Sequence, residues 1–258
     1  MPGLMRHLLL FTLISLLGGC HPHMKIIPSG SSVNLDNVYA NPSYDHAQIN
    51  NVLLLPIANP DDNHFVKEHN DRLRQSFIKN MAKFNYFYIQ YDRDLENQRE
   101  KVVDMESGSY DRLRLGVLGN AYNAQGILAL SISEYRPFFP MTMRIRGTLF
   151  DANTGERIWS FDQVFDTDDA TVENSMRVWW NSRMAGGDQF NRYELNKLRP
   201  SFFMNFVFHT MADTYGNSRV GHIETIAEEI KENKKKMEKI EDMQEDAFIP
   251  SRTRLHRL

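Results

Sequence analysis

Apolar positions along this chain follow two rhythms, and the switches between them mark out its elements. Val52-Leu53-Leu54-Leu55-Pro56-Ile57 is a nearly unbroken apolar run, as in a strand covered on both faces. A turn and helix-start cluster follows, Asn59-Pro60-Asp61-Asp62-Asn63. Leu73, Phe77 and Met81 then recur every four residues with Ile78 beside them. That period predicts an amphipathic helix over 65–83, with Lys67, Arg74 and Lys79 toward water. Residues 86–91 form a second strand rich in aromatics, and a charged stretch runs on to Asp104. A second helix is predicted over 111–123, with Leu113, Val117 and Ala121 on one face.

Three strands come next in succession. The first is 127–135. In 141–150, Met143, Ile145 and Leu149 alternate with Thr142, Arg144, Arg146 and Thr148, the mark of a sheet with one wet face. Asp151-Ala152-Asn153-Thr154-Gly155 is a turn, and 157–165 returns as the partner strand with Trp159 and Phe161. Residues 168–183 read as a helix carrying Val172, Met176 and the pair Trp179-Trp180, broken at Ala185-Gly186-Gly187. Pro200 opens another, with Phe202, Phe203, Phe206, Val207 and Met211 inside it and Gly216 as its stop. The fold class expected is α+β: a mixed β-sheet of about five strands packed by helices, with a carboxy-terminal helical extension.

The two ends of the chain differ from this middle. Leu8 to Leu17 is an almost wholly apolar run behind Arg6 and His7. It is too short for a hydrocarbon core about 30 Å thick, which needs roughly 20 residues, and it matches the apolar core of a secretory signal. Gly18 and Gly19 follow, and then Cys20, the single cysteine of 258 residues. Leu17-Gly18-Gly19-Cys20 resembles the lipobox of bacterial lipoprotein signals. The resemblance implies cleavage between Gly19 and Cys20 and a thioether-linked diacylglycerol on Cys20, usually with an amide-linked third chain such as palmitate. Each buried methylene contributes about 0.8 kcal/mol, so two or three chains anchor stably. In enteric bacteria an aspartate after the cysteine tends to retain a lipoprotein in the inner membrane. His21 stands there in this chain, so the resemblance implies the outer membrane, with the protein facing the periplasm.

Residues 20–50 read as a lipid-anchored tether, polar and punctuated by Pro22, Pro28, Ser29-Gly30-Ser31-Ser32 and Pro42. Val38, Tyr39 and Tyr44 are unusual in a linker and suit packing on the domain. The domain proper is expected over 51–218 and a charged tail over 219–258. In that tail a heptad frame puts Ile223, Ile230, Met237 and Gln244 at position a, and Ile226, Asn233, Ile240 and Ala247 at d. Association with a partner and folding back on its own domain both satisfy this pattern.

Composition narrows the function classes. Hydrophobic residues make up 41 % and aromatics 11 %, enough for a sizeable core. A net charge of −3 argues against a dedicated nucleic-acid binder. One cysteine excludes an intrachain disulfide and a cysteine-based zinc site. There is no Walker-type loop, GxGxxG, GxSxG or HExxH, so no cofactor is expected beyond the lipid on Cys20. His64 and His69, beside Asp61 and Asp62, read as a solvated helix start rather than a metal site. His21 and His23 read as polar tether residues, and Asp166, Asp168 and Asp169 as helix caps. Arg144 and Arg146 share one strand face, where solvation competes with docking of an acidic partner, phosphate group or lipid head group. Adjacent tryptophans on a helix cannot point the same way, which leaves one of Trp179 and Trp180 available to a partner.

The element order resembles the α/β module shared by the amino-terminal domain of TolB, the curli secretion lipoprotein and the lipoprotein activators of peptidoglycan synthases. Three segments carry the resemblance: Asn51-Val52-Leu53-Leu54-Leu55-Pro56-Ile57-Ala58-Asn59, Ala124-Gln125-Gly126-Ile127-Leu128, and the hairpin from Leu149 to Trp159. It covers about residues 51–166 and departs from the usual pattern at Gln125-Gly126-Ile127, where an acidic residue is common. Members of that group are mostly not enzymes. The resemblance therefore implies a non-enzymatic, outer-membrane-anchored lipoprotein with other envelope proteins, or itself, as partner. Its role would be a structural or accessory subunit of a cell-envelope assembly, such as a secretion-system core complex of the type IV, Dot/Icm-like kind. The alternative is a lipoprotein that activates a peptidoglycan synthase.

Overall fold

Two side chains start the main helices. In the computed structural model, which describes residue 35 and residues 37–97, 102–183, 189–219 and 231, Asn63 Oδ1 accepts from the N–H groups of Phe65 and Val66 at 3.0 and 3.2 Å. That cap opens helix α1, His64–Ala82. Asp111 accepts from Arg114 N–H at 3.2 Å and opens α2, Arg112–Tyr122, which ends at Asn123 in the left-handed conformation, φ 48°. Beyond them run α3, Ala170–Arg183, α4, Gln189–Asn196, and α5 over 200–219. The strands are β1 Val38–Ala40, β2 Asn51–Leu54, β3 Tyr88–Tyr91, β4 Gly126–Arg136, β5 Thr142–Asp151 and β6 Arg157–Asp166.

The fold is α+β, built on one mixed sheet of six strands in the order β1-β6-β5-β4-β2-β3. β2 pairs in parallel with β3 and β4, and every other pairing is antiparallel. The parallel pairs need crossovers, which α1 and the segment containing α2 supply. One sheet face packs on α1, α3 and α5 through Leu54, Leu130, Ile145, Trp159 and Phe165. The opposite face packs on α2 and the 102–105 segment through Leu53, Ile127, Ala129 and Phe150. Val52, Leu53, Leu54 and Leu55 are therefore buried to within 1 %, as their unbroken apolar run predicts. α1 and α5 are also tied by polar groups: Asn80 Nδ2 and Ser76 Oγ both donate to Asn205 Oδ1, at 2.9 and 3.2 Å.

Several expectations need correction. The sheet reaches back into the stretch read as tether, where Val38–Ala40 pairs with Phe161–Trp159 and supplies the sixth strand. Tyr44 donates to Asp151 at 2.5 Å, Asn41 donates to Glu156 at 2.6 Å, and Ile49 is wholly buried. A three-residue strand has too few positions for a period to show. On α2 the buried stripe is Leu115, Leu118 and Gly119, while Leu113 and Val117 are 84 % and 67 % exposed. Arg74 does not face water: it lies buried over the Tyr91 ring, 4.0 Å from its centroid, and donates to the Tyr91 hydroxyl. Helix α5 runs straight past Gly216. A Cβ there would collide with the Tyr86 hydroxyl, so this glycine admits a ring rather than ending a helix. The sequence pattern also omitted α4, and the Ala185-Gly186-Gly187 break lies outside the described residues.

Two predictions follow from this packing. A Cβ at Gly119 would stand 2.5 Å from the Ala152 Cβ, with no flexible chain end to yield. Gly119→Ala should therefore destabilise by about 1–3 kcal/mol, against a helix-propensity gain of about 1 kcal/mol; urea unfolding gives the sign. The second concerns His209 on α5, stacked on Phe84 at 5.0 Å, with Arg183 Nη2 at 2.9 and 3.0 Å from its two ring nitrogens. Burial, then the charges of Arg183 and Lys83, lower its pKa to about 3. The unfolded chain binds this proton below about pH 6.5 and the folded chain does not. Stability from this group is thus complete above pH 6.5 and falls with acid down to about 3, by at most about 1.4 kcal/mol per pH unit. His209→Gln should flatten that slope in unfolding curves taken between pH 7.5 and 5.

Candidate functional site

The open half of the sheet carries the candidate site. β5 and β6 pair Arg144 with Val164, Arg146 with Asp162 and Thr148 with Ser160. These side chains project away from α1, α3 and α5, where α2 does not reach. Their cover is the loop 103–110, closed by a bridge between Val103 and Tyr110. Asp104 shapes the loop, accepting from the Ser107 hydroxyl at 2.5 Å and from the N–H groups of Glu106 and Ser107 at 2.9 and 3.3 Å. Those donors, the Ser107 hydroxyl first, hold its carboxyl below the usual aspartate range. Gly108 turns the chain at φ +70°, a conformation that costs glycine little.

Between loop, sheet and β1 lies a groove of about 610 Å³. Tyr39, Tyr110, Phe150, Arg157, Thr148 and Ser160 line it, along with the acidic groups Asp104, Glu106 and Asp162. Arg146 ties roof to floor: its Nε and Nη2 donate to Asp162 at 3.0 and 2.7 Å, and its Nη1 donates to the Met105 carbonyl at 2.5 Å. Arg144 is looser, 3.9 Å from Asp162 with half of its side chain exposed. Arg157 lies over the Tyr39 ring at 4.8 Å. The groove thus presents both signs of charge, hydroxyls and ring faces, which suits a polar chain segment better than a single anion.

The structure separates the residues expected to bind partners. Arg144 and Arg146 sit at this groove, but the guanidinium of Arg146 is taken up by internal bonds. Trp179 and Trp180 lie on the opposite sheet face, each with its ring 5.3 Å from that of Phe202. Both are partly buried, and Phe202 packs against both. Gly19, Cys20, Ile223, Ile226, Ile230, Met237 and Ile240 lie outside the described residues. His64 pairs with Glu68 at 3.7 Å, and His69 Nδ1 is 3.1 Å from the Phe65 carbonyl, so the two histidines do not converge. Among the described residues, no three His, Cys, Asp or Glu side chains gather as they would around a metal ion. No helix among them is long and apolar enough to cross a membrane. The loop 103–110 and β1 were missed as site elements; the turn chemistry of Asp104-x-x-Ser107-Gly108 was the available signal for the loop.

These features define the class: an α+β domain with one sheet face sealed by helices and the other left partly open under a polar loop. No protein-family model matches the chain, and no curated protein matches it in sequence. Among solved structures it is similar to the hypothetical protein CT253 from Chlamydia trachomatis, at 11 % identity and TM-score 0.40, over 66 % of this chain and 98 % of that one. It is similar to the lipoprotein GNA1162 from Neisseria meningitidis, at 14 % identity and TM-score 0.34, over 49 % and 90 %. It is similar to the LpoB carboxy-terminal domain from Salmonella enterica, at 17 % identity and TM-score 0.29, over 45 % and 81 %. All three scores fall below 0.5, and the architecture given above rests on the chain's own strand register.

Arg146→Met keeps the aliphatic stem and removes all three bonds. It should speed amide exchange across 103–110 several-fold while β4 and β5 stay protected, whereas Arg144→Met should leave the loop unchanged. Hydrogen exchange read by mass spectrometry compares the two.

Proposed function

We propose that this chain is a lipid-anchored, non-enzymatic subunit of a multiprotein assembly in the bacterial cell envelope. It is held to the outer membrane through Cys20 and faces the periplasm. The observation that carries the reading is Leu17-Gly18-Gly19-Cys20 behind a ten-residue apolar run, with the chain's only cysteine at the acceptor position. The partly open sheet face is in keeping with it, since a groove of two-signed charge suits a protein segment. A secretion-system core complex is the kind of assembly that fits best.

Where the domain begins bears on the alternative, a synthase activator that reaches through the peptidoglycan. Leu35 already packs on the core, so fourteen residues separate the domain from Cys20. At 3.3–3.6 Å per residue they span at most about 50 Å, roughly half of what a tether running to residue 50 would allow. The shorter reach favours an assembly close to the membrane.

Size-exclusion and mass spectrometry of the tagged full chain, extracted from membranes in detergent, test the reading. The expected result is co-elution in a large complex with other envelope proteins. Cys20→Ala should accumulate as an uncleaved precursor that takes up no radioactive palmitate and is lost from that complex. A monomer bound to a peptidoglycan synthase would establish the alternative, and clear turnover in a hydrolase screen would overturn both.

A further inference from the structure

The connection between β4 and β5 is Pro137-Phe138-Phe139-Pro140, and its two rings are 64 % and 54 % exposed. The loop is firmly rooted. Met141 is wholly buried; its N–H donates to the Thr167 hydroxyl at 2.7 Å, and its carbonyl accepts from Thr167 N–H at 2.9 Å. Phe138 touches the first turn of α1 through Phe65, edge to face at 5.5 Å. Adjacent exposed phenylalanines on a fixed tip form an apolar surface that something covers.

The course of the chain says what. β1 runs antiparallel to β6, with Val38 opposite Phe161 and the Asn37 carbonyl accepting from Asp162 N–H at 3.0 Å. β6 continues from there to Asp166, opposite Thr142 beside the tip. The chain therefore enters the domain from the end of the sheet that carries Phe138 and Phe139. Leu35 already packs on the core there, and Cys20 lies only fifteen residues before it. The far end of the described α5 lies elsewhere: Arg219 donates to the Tyr86 carbonyl at 3.0 Å, at the opposite end of the sheet.

We infer that the Phe138–Phe139 tip inserts into the interface of the bilayer to which Cys20 anchors the chain. Insertion fixes the domain upright, with α2, the β5–β6 turn and Arg219 away from the membrane. The inference rests on the lipid-anchor reading of Cys20, because the anchor holds the tip at high effective concentration, so that weak insertion suffices. The charge of the rim selects the lipid. Asp166 ends β6 at this end, Asp168 and Asp169 follow it, and Arg136 there is engaged by Thr142 at 2.8 Å and Asp166 at 3.9 Å. The acidic side chains of this rim suit zwitterionic phospholipid, and anionic lipid should weaken the contact.

The test uses the full chain purified from membranes and reconstituted into phosphatidylethanolamine–phosphatidylcholine vesicles. Phe138→Cys carries an environment-sensitive fluorophore, Val117→Cys on α2 is the control, and intact mass reports the lipid on Cys20. Nitroxide-bearing lipids should quench the probe at 138 several-fold and leave the probe at 117 unchanged. A lipidated chain whose probe at 138 stays in water, or is quenched no more than the probe at 117, overturns the inference and leaves the anchor standing. An unlipidated chain whose probe at 138 is quenched on mixing with vesicles supports the tip and removes the anchor. A probe unquenched in pure lipid but shielded in native membranes assigns the tip to a protein partner and overturns the inference.

Discussion

Helix α5 is apolar on nearly every side, and what has to wrap it organises the rest of the domain. Phe203, Phe206, Val207, Phe208, Met211, Ala212 and Tyr215 are all buried to within 1 %. Such a helix has to be wrapped on most of its circumference, with Ser201, Asp213 and Asn217 left to water. The sheet takes one side, where Gly147 leaves room for the end of Met211. α1 takes another through Phe77 against Phe208 at 5.6 Å, and α3 a third through Trp179 against Phe206 at 5.7 Å. Tyr215 closes the far end among His46, Tyr86, Phe87 and Trp159. Residues before β2 are thereby drawn in: His46 is needed to complete the cage, and the segment carrying it folds onto the domain.

With α1, α3, α4 and α5 on one face, α2, the turn at Leu95 and the 102–110 segment cover the other among the described residues. α2 covers the β2–β4 half, and the β5–β6 half keeps its polar side chains in contact with water. Loop 103–110 spans part of that gap without filling it, and its attachment depends on Arg146. The open groove and the sealed aromatic core are therefore one consequence of how apolar surface is divided along the chain. That division also decides which residues are free to meet a partner. Most aromatic side chains of α3 and α5 are packed inside, whereas Phe138 and Phe139 stay exposed on the β4–β5 loop.

What was legible in sequence follows the same logic. The β5–β6 hairpin was plain because alternation over ten residues and a five-residue turn each state one answer. α1 was plain because a single stripe of Leu73, Phe77 and Met81 had no competitor. α2 carries two stripes, Leu113 with Val117 and Leu115 with Leu118, and helical period alone cannot rank them. Gly119 ranks them, since the helix approaches Ala152 at the one position without a side chain. Gly216 misled for the opposite reason: glycine is both a helix stop and a place for close approach, and Tyr86, 130 residues earlier, decides between the two. The tryptophan pair was judged by direction around the helix, but Phe202 is long enough to meet both rings. Of the candidate site, the arginine face was visible as a pattern. Its roof was not, because the 103–110 loop is placed by Arg146, a contact 41 residues away.

The course of the chain adds a constraint that neither sequence pattern nor burial states alone. α5 runs the length of the domain, from Trp179 and Phe165 at the end where the chain enters to Trp159 and Tyr86 at the other. Asn37 and Arg219 therefore stand toward opposite ends of the sheet. If Cys20 anchors the chain as proposed, these two ends face toward the membrane and away from it. The groove, on the flank between those ends, is reached from the side. Partners arriving at the flank and partners arriving at either end would meet different surfaces of the same domain.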